Sequence, residues 1–186
     1  MSETKLPVII TVSGKARNGK DQFARDCKKI MEDDGYKVQI IHHADYLKWV
    51  CEKYLGVPHD YKSEGSRTVW QYVGTDLFRT QDDLYWVRNV EENIRYLQPL
   101  SQVDFVIIPD CRFANEINYY KEKGYKVISI RVARKGYVSP LTKEQQNHIS
   151  ETALDFFTFD KNILAKDLTE LNEYARIVCK EAERNG

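Results

Sequence analysis

Short runs of consecutive apolar residues, many of them β-branched, recur along the chain and predict the strands of a buried parallel sheet. A strand that is covered on both faces has no polar side, so an unbroken apolar run is its typical pattern. The first run ends at Ser13-Gly14 and the third ends at Asp110. The predicted strands are residues 8–12, 38–41, 103–109, 127–132 and 159–163.

Between these runs, apolar residues recur every three or four positions and predict amphipathic helices. This pattern covers residues 23–31, 47–55, 84–97 and 168–182, and the first three stretches are followed by Asp33-Asp34-Gly35, Gly56-Val57-Pro58 and Pro99. Glycine and proline at these places are expected to end the helices. Strands that alternate with helices are typical of βαβ units. The expected fold class is therefore α/β, with a five-stranded, mostly parallel sheet flanked by helices.

The composition favours one globular domain over residues 1–186. Its 28 Lys plus Arg balance its 28 Asp plus Glu, whereas proteins that coat nucleic acid usually carry a basic excess, so we expect no nucleic-acid partner. No segment has the roughly 20 apolar residues that span a bilayer, and the N-terminus lacks the layout of a signal peptide. We therefore expect no membrane association and a cytoplasmic location. The scattered cysteines form no C-x-x-C pair and predict reduced thiols, without structural zinc.

A phosphate-binding loop is indicated by Gly14 to Lys20, which has the spacing G-x-x-x-x-G-K. It follows a predicted strand and precedes a predicted helix, as the motif requires. Glycines let the backbone curl so that successive N–H groups point at a phosphate, and the helix N-terminus adds its positive end. Lys20 would then reach the β- and γ-phosphates of a nucleoside triphosphate. The predicted ATP-binding residues are Gly14, Lys15, Ala16, Arg17, Asn18, Gly19, Lys20, Asp21 and Gln22.

The loop departs from the common motif at Asp21, where a Ser or Thr usually binds Mg²⁺. A carboxylate is also an oxygen ligand, so Asp21 is a candidate for holding the metal directly or through water. Capping the helix or steadying a neighbouring lysine is an alternative role. Lys15 and Arg17 lie within the loop and can stabilise charge on a transferring phosphoryl group, or can be solvated loop charges.

Further motifs extend the pattern over most of the chain. They are Ala44-Asp45-x-Leu47-Lys48, Arg67, Gln71-x-x-Gly74-Thr75-Asp76-x-x-Arg79, Tyr85-Trp86-Val87, Asp110-x-Arg112-Phe113-x-Asn115-Glu116 and His148-x-Ser150-Glu151. In this order, and with the G-x-x-x-x-G-K-D loop, the sequence resembles the deoxynucleoside monophosphate kinases of the bacteriophage type, a branch of the nucleoside monophosphate kinase-like P-loop fold. Animal-type phosphomevalonate kinases share the loop, the Leu-Lys pair and the Ser-Glu pair, and are the main rival within the kinase class.

The resemblance implies transfer of the γ-phosphate of ATP to a deoxynucleoside monophosphate, which yields the diphosphate. It implies that the acceptor is bound by Asp45, Lys48, Arg67, Gln71, Gly74, Thr75, Arg79, Trp86, Arg112 and Glu151. These residue types suit such an acceptor, because arginine binds phosphate bidentately, glutamine can pair with a base edge, and glycine admits a close backbone.

Several of these residues also have a structural interpretation. Asp45 suits a helix N-cap, Lys48 a solvated helix face, Trp86 the core, Arg112 a structural salt bridge, and Glu151 the cap of a following helix.

The predicted catalytic residues are Lys20, Lys15, Arg134 and Asp110. Asp110 follows the third strand, where an acid that holds Mg²⁺ is expected, so Asp21 and Asp110 are the predicted metal ligands. The resemblance implies an acceptor-binding helical insert at about 44–100 and a lid at about 134–150. Arg134 would close over the phosphates with that lid, in preference to Arg131 within the fourth strand. It also implies Mg²⁺ with ATP as cofactor, small-molecule nucleotides as partners, and compatibility with a homodimer.

Two other classes of function stay open at this point. A P-loop chain can bind a nucleotide without turnover and act as a sensing module. A nucleic-acid end kinase would share the loop, but the balanced charge disfavours it. Relatives bind the donor base with the loop after the last strand, and residues 165–167 lack the usual Asn/Gly-rich pattern there. The donor base preference therefore stays open as well.

Overall fold

A computed structural model describes residues 5–58 and 64–185. Its centre is a sheet of five parallel strands in the order β2-β3-β1-β4-β5, which confirms the predicted α/β class. The strands are β1 (Val8–Ser13), β2 (Val38–Ile40), β3 (Phe105–Ile108), β4 (Val127–Arg134) and β5 (Lys161–Ala165). The central strand β1 has Ile10 opposite Ile107 on one side and Ile128 on the other. The phosphate loop therefore leaves the middle of the sheet, at the edge where ligands of such sheets bind.

Helices cover both faces of the sheet. In the described residues they are α1 (Lys20–Asp33), α2 (Ala44–Leu55), α3 (Glu64–Gln71), a π-helix (Tyr72–Arg79), α4 (Tyr85–Ser101), α5 (Ala114–Glu122), α6 (Lys143–Asn147), α7 (Ile149–Thr152) and α8 (Leu168–Asn185). Side chains alternate along β1, so Ile10 packs with Phe23 and Ala175 of α1 and α8, whereas Ile9 packs in the core under α4 and α5. No helix within the described ranges is both long and apolar enough to cross a membrane.

A third, smaller core lies between α2, the π-helix and α4. It contains Leu47, Cys51, Val73 and Trp86, all buried. Gly74 belongs to this packing, because a Cβ there would lie 2.6 Å from Cδ2 of Leu47. These elements fall within the predicted acceptor-binding segment, of which residues 59–63 lie outside the described part of the chain.

Several predicted boundaries differ from the structure, for example the third strand, which was expected at 103–109 and is Phe105–Ile108. The last strand was expected at 159–163 but runs from Lys161 to Ala165, because Phe159 packs on Phe157 and Asp160 accepts the Ser129 N–H before pairing starts. Pro99 was expected to close α4, which ends at Ser101 instead. Pro99 lies in the last turn, where its missing N–H removes only one bond of the helix.

Candidate active site

The loop from Gly14 to Lys20 joins β1 to α1 and is held tightly against β4. A Cβ on Gly14, which has φ 144°, would lie 2.1 Å from the Val132 carbonyl oxygen, so only glycine fits there. Asn18 fixes the middle of the loop. Its Oδ1 accepts the Arg134 N–H at 2.8 Å and its Nδ2 donates to the Ala16 carbonyl at 3.2 Å. The loop is therefore preorganised by the sheet.

Lys20 is buried at the start of α1, and its Nζ donates to the Lys15 carbonyl at 3.0 Å. Burial and the positive charge of Arg112 together lower the pKa of Lys20 to about 7. Glu151 and Asp21 act in the opposite direction and only partly compensate. The amine is therefore poised to gain a proton when an anion such as phosphate arrives.

Glu151 forms ion pairs with the cationic side chains beside this loop. Its carboxylate accepts the Ala16 N–H at 3.2 Å and pairs with Arg112 at 3.0 Å and with Arg67. Burial would raise the pKa of Glu151, but Arg112, Arg67 and Lys20 outweigh it and hold the pKa below its usual range. Glu151 is therefore an ionised internal anion, whose carboxylate contacts the loop and two arginines and does not cap a following helix, which was the alternative interpretation.

The side chain of Lys15 is bound by α7 and by the segment that follows it. Its Nζ donates to the Glu151 carbonyl at 2.6 Å and pairs with Asp155 at 2.6 Å. Asp155 also pairs with Arg131 at 2.8 Å. Burial would raise the pKa of Asp155, but Lys15 and Arg131 lower it overall. A phosphate approaching Lys15 must therefore compete with an existing carboxylate partner.

His42 lies between two carboxylates at the start of α2. Its Nε2 is 3.3 Å from Oδ1 of Asp21, and its Nδ1 is 3.3 Å from Oδ2 of Asp45. Burial alone would lower the pKa of His42, but these partners and the charge of Asp110 raise it to about 10. His42 is therefore an imidazolium at neutral pH. Asp45 also accepts the His42 N–H at 3.2 Å, and it does not line the cavity that was expected to bind the acceptor.

Asp110 follows β3 and supports the first turn of α2. Its two oxygens accept the N–H groups of His43 at 3.0 Å and Ala44 at 2.9 Å. Burial would raise its pKa, but the contacts with His43 dominate and hold the pKa well below the usual range. Asp110 is thus ionised at the carboxyl end of a central strand.

Asp21 and Asp110 fit the requirements of Mg²⁺. Carboxylate oxygens are the ligands that this hard cation prefers, and each acid keeps lone pairs beyond its present contacts. The side chain of Asp21 is 63% exposed. Its hydrogen bond with His42 holds the pKa of Asp21 below the usual range, although burial and the nearby charge of Asp110 act in the opposite direction. A metal at these acids would compete with the imidazolium of His42 for Asp21.

A second group of residues that could bind a metal lies buried behind Asp110. It consists of His43, Cys111 and Glu116, whose potential ligand atoms lie within 4.8 Å of one another. Glu116 is already committed, because its Oε2 accepts the N–H groups of Arg112 and Phe113 at the start of α5, and its Oε1 accepts from Arg79. Burial raises the pKa of the Cys111 thiol well above its usual value, so it stays protonated. This group is better explained by packing than by a metal.

A cavity of about 530 Å³ opens beside the loop, and its size suits a small organic ligand. Most residues predicted from the sequence to bind the acceptor line it. They are Lys48, Arg67, Gln71, Gly74, Thr75, Arg79, Trp86, Arg112 and Glu151. From the predicted ATP-binding set, Ala16, Arg17, Lys20 and Asp21 reach the same cavity.

Aromatic and amide groups line the cavity one turn beyond Arg67. Trp86 is buried and its Nε1 donates to the Gly74 carbonyl at 2.8 Å, so it is a wall of the cavity that also belongs to the core. Lys48 lies 5.7 Å from the centre of the Trp70 ring. The Nε2 of Gln71 is buried and has no hydrogen-bond partner among the described residues. A buried amide donor of this kind calls for an acceptor on a ligand or water.

Arg79 lines the cavity, but its guanidinium is already engaged. It donates to Glu116 and Asn115, both at 2.9 Å, and lies 3.7 Å from the centre of the Phe113 ring. Burial lowers the pKa of Arg79, although Glu116 opposes the effect. Arg79 thus fixes the start of α5 against the π-helix, and Arg67 and Arg112 are better placed for a phosphate.

Two predicted residues have side chains elsewhere. Arg134 is exposed and lies 5.6 Å from the Tyr137 ring, outside the cavity lining, so only its backbone N–H contacts the loop. Gln22 donates to Asp26 at 2.8 Å, one turn along α1. Sequence reasoning missed His42 and Asp155, because their partners Asp21 and Lys15 are distant in the chain and neither residue belongs to a recognised motif.

Comparison with known proteins agrees with this architecture. The family model for deoxynucleotide monophosphate kinase matches residues 57–174, whereas no curated protein sequence matches the chain. Among solved structures, the APS kinase CysC of Mycobacterium tuberculosis (Cys556Ala mutant) has a TM-score of 0.52 and 11% identity, over 96% of this chain and 98% of that chain. A gluconokinase from Sinorhizobium meliloti has a TM-score of 0.50 and 16% identity, over 97% and 96%.

These solved structures share the fold of P-loop kinases, and the family match covers well over half of the chain. The phosphate loop and the cavity beside it lie where that fold binds its ligands. The chain therefore belongs to the deoxynucleotide monophosphate kinase family and is a P-loop kinase of nucleotides or similar small molecules.

Proposed function

We propose that this kinase transfers the γ-phosphate of ATP to the phosphate of a deoxynucleoside monophosphate. One observation carries the proposal: a single cavity joins the phosphate loop to two arginines and then to an aromatic wall, where the Gln71 amide has no hydrogen-bond partner within the described part of the chain. Arg67 and Arg112 suit the phosphate of the acceptor, whereas Trp86 and Gln71 suit a planar base. The family match points to the same substrate class.

ATP as the donor is supported by the phosphate loop and by the fold. One structure of similar fold is the Mycobacterium tuberculosis APS kinase CysC in complex with AMPPNP and APS. In our proposal Gly14 to Lys20 holds the triphosphate of this chain. Lys20 and Lys15 neutralise the phosphoryl group during transfer, once Lys15 exchanges Asp155 for phosphate.

The base is proposed to be recognised by Gln71. The residue lines the cavity and its Nε2 has no hydrogen-bond partner among the described residues, so the amide would donate to a carbonyl or ring nitrogen of the base once the side chain turns towards it. Gly74 and Thr75 would lie against the nucleoside, and Lys48 would add a cation near the Trp70 ring. An acceptor that brings no hydrogen-bond acceptor to Gln71 would leave the amide unpaired at a cost of about 1–3 kcal/mol.

Transfer is proposed to be in line. An oxygen of the acceptor phosphate attacks the γ-phosphorus while the bond to the bridging β–γ oxygen breaks, so ADP leaves. Catalysis is then mainly positioning and charge neutralisation. Asp21 and Asp110 would hold Mg²⁺, which lowers the negative charge of the phosphates when it is bound. Arg134 would add a further cation from the end of β4, with residues 134–150 as a lid and 44–100 as the acceptor-binding insert of a single domain.

The test is ADP release from Mg²⁺-ATP with a panel of nucleoside and deoxynucleoside monophosphates, with phosphomevalonate as a separate sample. We expect turnover with one or more deoxynucleotides and its loss in Lys20→Ala. Turnover with phosphomevalonate alone would replace the acceptor class. Tight ATP binding without acceptor-dependent ADP release would indicate a sensing module instead.

A further inference from the structure

Glu151 is a buried anion that contacts both sides of the cavity. Its carboxylate accepts the Ala16 N–H of the phosphate loop at 3.2 Å, and it pairs with Arg112 at 3.0 Å and with Arg67. Only 7% of the residue is exposed. One carboxylate therefore links the loop assigned to the donor with the two arginines assigned to the acceptor.

A carboxylate in this place is a poor ligand for the acceptor itself. It is ionised, and an ionised carboxylate repels a phosphate at contact distance. Its influence on the substrate must therefore pass through the arginines. Arg67 comes from α3 and Arg112 from the loop after β3, so their relative orientation depends on side-chain contacts such as the shared carboxylate.

We propose that Glu151 is a positioning residue, which holds Arg67 and Arg112 in register with the phosphate loop so that the acceptor phosphate lies in line with the γ-phosphate. The inference rests on the proposed function, because it assumes an acceptor that carries phosphate. It assigns to Glu151 an action on the arginines in place of the acceptor contact that the sequence suggested.

Positioning by an anion has a cost in affinity. The carboxylate cancels part of the positive charge that attracts a phosphate, while it orients the groups that carry this charge. Removing the charge is therefore expected to tighten phosphate binding and to slow transfer. A residue that only supported the fold would weaken both when it is replaced.

The experiment compares Glu151→Gln with the unmodified chain in two measurements. Titration calorimetry with inorganic phosphate, in the presence of EDTA, is expected to give about tenfold tighter binding in Glu151→Gln. The kcat with the nucleotide that the unmodified chain phosphorylates is expected to fall at least about tenfold, because the arginines lose their common anchor.

Two variants serve as controls. Glu91 is similarly buried, at 5% exposure, and pairs with Arg95 on α4, so Glu91→Gln removes the same kind of charge away from the cavity. It is expected to leave phosphate affinity and kcat unchanged. Glu151→Asp keeps the charge on a shorter side chain, and is expected to keep the original phosphate affinity with a lower kcat.

Two results would overturn the proposal. The first is a kcat of Glu151→Gln within about twofold of that of the unmodified chain. The second is a parallel loss of phosphate affinity, kcat and unfolding free energy in Glu151→Gln. If Glu151→Gln fails to fold, Glu151→Asp decides, because an unchanged kcat there would show that orientation is not needed. The phosphate titration needs no turnover. A chain that phosphorylates no nucleotide would therefore refute the proposed function, while the titration still reports on Glu151.

Discussion

Nucleotide binding is expected to take up a proton at mildly alkaline pH, because Lys20 regains the charge that burial removes. A fall of its pKa from 10.5 to about 7 means that the protein destabilises the ammonium form, relative to the neutral amine and compared with water, by about 5 kcal/mol. At pH 8 about nine in ten Lys20 side chains of the empty protein would then be neutral. The phosphates of a bound nucleotide favour the ammonium form and restore its proton.

The sign of the pH dependence follows. Between pH 7 and pH 10 the complex holds more protons than the empty protein, so affinity falls as pH rises, by up to about tenfold per pH unit. The assay is titration calorimetry with ADP at pH 8 in EDTA, in two buffers of different ionisation enthalpy. EDTA removes metal, so that Asp21 and His42 keep their present charges. We expect an uptake of about 0.9 proton at pH 8 and about half a proton at pH 7.

Lys15→Met is the matched control for this measurement. Lys15 belongs to the same loop, but its side chain is 39% exposed and already paired with Asp155. Its removal is expected to weaken ADP binding and to leave the proton uptake unchanged. An uptake near zero at pH 8, together with an affinity that does not change from pH 7 to pH 9, would refute the reasoning. Lys20 would then be charged in the empty protein, and burial would not dominate its pKa.

Three substitutions test other parts of the site. Gly14→Ala would bring a methyl group within 2.1 Å of the Val132 carbonyl oxygen and is expected to cost at least about 2 kcal/mol of stability; a native Tm with native ADP affinity would contradict this. Trp86→Phe removes the indole N–H that donates to the buried Gly74 carbonyl, and urea unfolding should show a loss of about 1 kcal/mol or more, whereas an unchanged midpoint would exclude the bond as a source of stability. Gln71→Leu is expected to raise the KM of the accepted nucleotide about tenfold with inorganic phosphate affinity unchanged, and an unchanged KM would argue against base recognition.

Most of the fold could be predicted because its signals are local. The β-branched run before Ser13 and the glycines at 14 and 19 define a strand, a loop and a helix within about a dozen consecutive residues. The last strand was predicted to begin two residues too early, because Phe159 is as apolar as a strand residue. In the structure Phe159 packs against Phe157, before strand pairing begins. An apolar run alone does not say where pairing begins.

The sequence predicted which residue types form the candidate site. It predicted less well which of these residues form hydrogen bonds and ion pairs with one another. Glycine, lysine and arginine at motif positions mark a phosphate site whatever their partners are. The contact of Asp155 with Lys15 joins residues 140 positions apart, and no local pattern encodes it. The same holds for Arg79, which was predicted to bind the acceptor and lines the cavity, but whose pairing with Glu116 and Asn115 no local pattern encodes.

The π-helix from Tyr72 to Arg79 determines how this segment responds to the loss of a residue. In an ordinary α-helix, Gly74 and Arg79 would point about 140° apart, because each residue turns the chain by about 100°. The wider π-helix brings residues five apart onto one side, so both face the cavity. Deleting one residue between Gly74 and Arg79 would let the segment tighten into an α-helix in which the two are four apart, about 40° from each other, so both would still face the cavity. Loss of a single residue here is therefore expected to be tolerated better than a deletion within α4, where every later side chain would turn by about 100°.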